Sequence, residues 1–181
     1  MNQLIYNSSS YPLYVSDLNT SGLLAATKLG NAYMLSANYA TTLVLAGTVY
    51  LAINLRNPNG SGKKVYINDI YISTSGLLTG GSFLLIQNGT TGTTTNLTPR
   101  NINLGSPNTS ICTSTMQTNT GITGGTTIGS GNLPTGIYAG IFEGGLAIQP
   151  NNALGISVAQ SGTLGLAITL YVRITYWEEL S

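Results

Sequence analysis

Asp69 and Glu143 are the residues whose types could do chemistry: both carboxylates fall inside extended stretches of the chain. Two carboxylates held at a set separation, one with a raised pKa, are what glycoside hydrolysis needs. The competing reading gives each a plainer role: a solvent face, a strand bulge, or an ion pair with Arg56, Arg100 or Arg173. The remaining acids are Asp17, Glu178 and Glu179, and the last two are expected to form a solvated C-terminal end. No loop carries two carboxylates, so no calcium site is expected. The sequence has no histidine, which removes the commonest general base and metal ligand and makes Ser-His-Asp and Cys-His triads impossible. Cys112 lies in a Ser/Thr-rich stretch without a nearby Lys or Arg, so it reads as a small packed residue rather than a nucleophile.

Gly60-Ser61-Gly62-Lys63 looks like the end of a phosphate loop, but the first glycine of that motif would fall at Asn57 and the closing Ser/Thr at Lys64. It is expected to be a hairpin turn between two strands. Asn-x-Ser/Thr triplets start at Asn7, Asn19, Asn59, Asn88, Asn96 and Asn108, as expected by chance in a chain this rich in Asn, Ser and Thr. The eleven tyrosines and Trp177 could stack on sugars. Tyr66, Tyr71, Tyr171 and Tyr176 sit in strand patterns, however, where aromatics are enriched for packing. No catalytic, cofactor-binding or metal residue is assigned.

Composition narrows the setting. Only 6% of residues are charged and the net charge is +1, while 42% are hydrophobic. Thr, Ser, Asn and Gly replace the missing charge, and a near-neutral surface favours association. Nucleic-acid binding needs clustered Lys or Arg, which the chain lacks. No run is long and apolar enough for a membrane span, and Met1-Asn2-Gln3-Leu4 does not start a signal peptide. A lone Cys112 allows no intramolecular disulfide.

The elements that must position these residues are mainly strands. From Leu164 to Tyr176 every even-numbered residue is apolar, so this stretch is expected to be one strand of roughly 40 Å with one buried face. Leu43, Leu45, Val49, Leu51, Ile53 and Leu55 form a second row, interrupted by Gly47. Lys64 to Ser73 is a third strand, whose apolar phase shifts at Asn68-Asp69, as at a bulge. Ser82–Gln87 is followed by the turn dipeptide Asn88-Gly89. Further strands are expected at Ile137–Glu143, Gly145–Gln149 and Leu154–Ala159, with Pro134 and Pro150 between them. Within the mixed segment 1–40, Leu4–Tyr6 and Leu13–Val15 suit short strands. Ser21 through Gly30 suits a capped helix with a glycine stop, more strand being the alternative. Residues 88–136, dense in Thr, Gly, Asn and Ser, are either long exposed loops or thin β-structure braced by sister subunits. The expected fold is one all-β domain over 1–181, a jelly-roll-like antiparallel β-sandwich of about eight strands.

The run Leu55-Arg56-Asn57-Pro58-Asn59-Gly60-Ser61-Gly62-Lys63-Lys64-Val65-Tyr66-Ile67 resembles a turn-and-strand signature of virion structural proteins of tailed phages and related prokaryotic viruses. Leu133-Pro134-x-Gly136, Gly145-Leu146-Ala147-Ile148-Gln149-Pro150, Leu154-x-Ile156 and Tyr176-Trp177-Glu178 extend the likeness to about half the chain. The resemblance implies a head-decoration, fibre or minor capsid protein on the virion, often trimeric, with no catalytic residues to carry over. The reading is therefore a non-enzymatic viral structural protein, a homo-oligomer docked on viral shell proteins. One alternative is a carbohydrate- or receptor-binding module using host-surface glycan, with aromatics of 88–136 or Trp177 as its platform. Another is a single jelly-roll major capsid protein, although the basic genome-facing arm is missing.

Overall fold

The computed structural model describes residues 4–6, 12–14, 21–75, 80–92, 94–133 and 136–181. Asp17, Pro134, Val15 and the triplets at Asn7 and Asn19 lie outside them. In chain order the elements are β1 (Leu4–Tyr6), β2 (Pro12–Tyr14), α1 (Gly22–Lys28), β3 (Ala32–Thr42), β4 (Gly47–Arg56), β5 (Lys63–Ser75) and β6 (Gly81–Gln87). There follow β7 (Thr95–Leu97), β8 (Arg100–Asn101), β9 (Thr113–Thr118), β10 (Thr126–Asn132), β11 (Ile137–Ile148), β12 (Ala153–Gly162) and β13 (Ala167–Leu180). Apart from the β1-β2 pair, the strands form two antiparallel sheets, ordered β11-β5-β13-β3-β8 and β10-β6-β12-β4-β9-β7.

The sheets pack face to face because each inner face is an apolar row of period two. On β13, Ile168, Leu170, Val172, Ile174 and Tyr176 are all buried, as the even-numbered row requires. Leu51, Ile53 and Leu55 of β4 and Leu154, Ile156 and Val158 of β12 supply the opposite layer. The phase shift in β5 is a bulge: Thr175 pairs with Asp69 but Tyr176 pairs with Ile67, leaving Asn68 unopposed. The helix forms where its caps predict it. Ser21 Oγ accepts from Leu24 N at 3.3 Å, and Gly30 takes a left-handed φ of 71° just past the last turn. Side-chain amides then bind carbonyls at and just past the helix end, Asn103 on Thr27 O, Asn108 on Leu29 O and Asn101 on Gly30 O.

Four expectations need correction, and three have one cause. The eight long strands change sheet at almost every connection, so runs that look continuous turn corners. Leu43 to Ala46 is a loop crossing from β3 in one sheet to β4 in the other, leaving Val44 and Leu45 mostly exposed. Likewise Asn57 to Gly62 is no hairpin, since β4 and β5 belong to different sheets. Its corner is held by buried Asn57, whose Nδ2 donates to Lys63 O at 2.8 Å and Ile148 O at 3.0 Å. The last strand starts at Ala167, because Leu164 sits in the opposite corner loop. Finally, Ile137–Ile148 is one strand with an internal bulge, where the pairing with β5 slips between Ile141 and Leu146. In the tract 88–136 three short strands and β10 are joined by loops.

Candidate functional site

Asp69 and Glu143, the two carboxylates considered for catalysis, are differently placed. Asp69 is taken up by Arg173, whose Nη2 lies 3.3 Å from Oδ1, and by Asn68 Nδ2, which donates to Oδ2 at 2.9 Å. The Arg173 guanidinium also covers the Tyr71 ring at 5.4 Å, and Tyr71 meets Tyr171 edge-on. Glu143 sits exposed in the β11 bulge with φ 48°, followed by Gly144 at φ 86°. That glycine is required there: a Cβ would lie 2.6 Å from the Trp177 ring. Among the described residues no group of three metal-ligating side chains occurs, and no helix is long and apolar enough to cross a membrane.

Trp177 is 5% exposed and is not a sugar platform. It stacks on Tyr66 with centroids 5.4 Å apart, under the backbones of Gly22 and Gly144. Residues 88–136 contain no aromatic side chain at all.

Sequence reasoning places Glu178 in solvent; the structure buries it. Residue 178 continues the even-numbered inward row of β13 two positions past Tyr176, and its side chain is 0% exposed. One oxygen accepts from Ser110 Oγ at 2.6 Å and Ile111 N at 2.9 Å; the other meets Lys63 Nζ at 3.1 Å. Ser110 Oγ is also 2.7 Å from Tyr176 Oη and accepts from Cys112 N. This polar knot fastens the long insertion between β6 and β10 to the ends of β13 and β5. The even-numbered row of β13, carried two residues past Tyr176, is the sequence signal for it.

The knot also quiets Cys112. Burial, then the Glu178 charge, pushes its thiol from an ordinary value of 9.0 up to about 12. Burial, with a smaller push from Glu178, raises Tyr33 from 10.0 to about 12, and Tyr176 is raised as well. Each group stays protonated in the fold at a pH where the unfolded chain would ionise, so unfolding gains free energy as pH climbs. Stability is therefore expected to be flat up to about pH 9 and to fall steadily from 9 towards 12. Denaturant melts across that range check it, and native Cys112 should resist thiol reagents at neutral pH until the protein unfolds.

What the fold does leave open is one side of the sandwich. Its far side ends in β8 and β7, strands of two and three residues. The near side ends in β10 and β11, seven and twelve residues long, each paired along one edge only among the described residues. Ile128, Ile137 and Ile141 on them are 46%, 55% and 73% exposed. Ile128 also lines a cleft of about 330 Å³ running to Leu146, Ile148 and Leu154. No charged residue occurs between Arg100 and Glu143. Protein edges are normally kept from pairing by shortness, charge or proline. The far side has shortness; the near side strands carry no proline and no charge before Glu143, and their registers slip at Ile128 in β10 and beyond Ile141 in β11.

No protein-family profile, curated protein or solved structure matches this chain.

Proposed function

We propose that the chain is a non-enzymatic structural protein of a virus particle, which self-associates through the β10–β11 side and docks on the shell from outside. The long pair of sheet edges, without charge as far as Phe142, carries this reading. A row of free backbone donors and acceptors beside exposed isoleucines matches another extended strand, and every copy of the chain offers one. A surface with so little charge adds no repulsion between copies.

The strand order adds support. Numbered along the chain, the eight long strands lie 1-8-3-6 in one sheet and 2-7-4-5 in the other. This order supports reading the sandwich as a jelly roll, with β7, β8 and β9 as an insertion between its fourth and fifth strands. It agrees with the resemblance to virion structural proteins, which favours a trimer, and it suits a main shell protein as well. Light scattering across a dilution series tests the reading. A stable trimer or closed higher assembly is expected; a monomer at every concentration would refute it.

A further inference from the structure

We propose that Lys63 and Asn31 join through an intramolecular isopeptide bond, formed without any other enzyme and with Glu178 as the proton carrier. The three residues share one face. Asn31 precedes Tyr33 by two, and Tyr33 pairs with Tyr176; Lys63 precedes Val65 by two, and Val65 pairs with Glu178. Asn31 stands just before β3 and opposite Glu178, Lys63 shares the face of Val65, and all three line one cavity, with Glu178 on the strand between the other two. Glu178 N donates to Asn31 O at 3.0 Å, and residues opposed across strands hold their Cβ atoms roughly 5 Å apart. Lys63 and Asn31 line the same cavity of about 400 Å³, together with Tyr33 and Asn108. They meet again in a second one of about 270 Å³ that Glu178 also lines.

The chemistry has a group for each part. Glu178, a carboxylate with no solvent exposure 3.1 Å from Lys63 Nζ, takes a proton from the ammonium and leaves a neutral amine. The amine lone pair attacks Asn31 Cγ, and the carbonyl π pair moves onto Oδ1. Asn108 Nδ2, which donates to that oxygen at 3.4 Å, supports the negative charge forming there. As the intermediate collapses, the Cγ–Nδ2 bond breaks and protonated Glu178 returns its proton to the leaving nitrogen. One C–N bond forms, one breaks, and nothing is oxidised or reduced. The second proton of the attacking amine leaves with the departing ammonia as ammonium. A salt bridge alone would use Lys63 and Glu178; the reaction also uses the Asn31 carboxamide and the Asn108 amide that donates to it in the same cavity. The bond would tie the starts of β3 and β5 across β13, a covalent clasp in a chain that can form no internal disulfide.

The test is the intact mass of the purified, folded protein, followed by a tryptic map. The expected mass is lower than that of the sequence by one ammonia, about 17 Da. The peptides Leu29–Arg56 and Asn57–Lys64 should appear joined, uncut after Lys63. Lys63→Arg and Glu178→Gln should restore the full mass. Asn31→Ala, which leaves the Lys63–Glu178 pair in place, should do so in a protein that still folds. An unshifted wild-type mass would overturn the proposal. So would the same loss confined to a single peptide, as a succinimide at Asn59-Gly60 or Asn88-Gly89 would give, or a link mapped to Asn108 instead.

Discussion

Replacing Ile137 with lysine is expected to weaken self-association about 100-fold, equivalent to about 3 kcal/mol, while the melting temperature hardly moves. Ile137 stands at the free side of the sandwich, 55% exposed and paired with Ser73 across β5. In the isolated chain a lysine there reaches water without strain, and such surface changes stay within about 0.5 kcal/mol. In an edge-to-edge contact the same ammonium must be desolvated against another apolar edge, with no acid nearby to pair with it. Ile141 is the poorer site for this experiment, because its cross-strand neighbour is Asp69, which would take up an added lysine. Equal association of Ile137→Lys and wild type in light scattering would remove β11 from the interface.

Trp177→Ala is expected to cost about 3–5 kcal/mol of stability, the range for emptying a large aromatic site in a packed interior. The indole lies under Gly22 at the start of α1 and under Gly144 in the β11 bulge, with Tyr66 stacked on it at an interplanar angle of 18°. Its Nε1 donates to Glu179 Oε1 at 2.8 Å, so the substitution also strips a carboxylate of its partner. Ala26 and Ala32 complete this second small core, which joins the helix to the outer face of the sheet. Denaturant unfolding monitored by circular dichroism gives the number. A Trp177→Ala protein of unchanged stability that has lost glycan binding would instead restore the carbohydrate-module reading, for which the buried ring offers no platform.

Much of the fold is legible wherever period two is strong. The even face of β13, the slip at Asn68 and the polar cap at Ser21 are each visible as a single pattern with a single physical cause. β3 is harder, because its inward row of Tyr33, Leu35, Ala37 and Tyr39 alternates with another set of small or partly apolar residues. Corners are harder still. Alternation shows which face a residue takes but not which sheet its strand joins, so Leu43 to Ala46 reads as strand and Asn57 to Gly62 as hairpin. The polar knot is legible only in part. Glu178 looks like a terminal charge until the even-numbered row of β13 is carried past Tyr176, and its partners Lys63 and Ser110 come from 115 and 68 residues away. The open side is half legible: the lack of charge from residue 101 to 142 stands in the sequence, but that β10 and β11 end their sheets does not.

Amide hydrogen exchange along β11 in the wild-type protein tests the central claim most directly. Every second amide of the strand bonds to β5; the others point outward from the sheet. If copies pair along this edge, the outward amides from Ile137 to Ile141 should be protected at concentrations where the assembly persists, and should lose that protection on dilution. Outward amides that exchange at the rate of a free strand at every concentration would contradict the account.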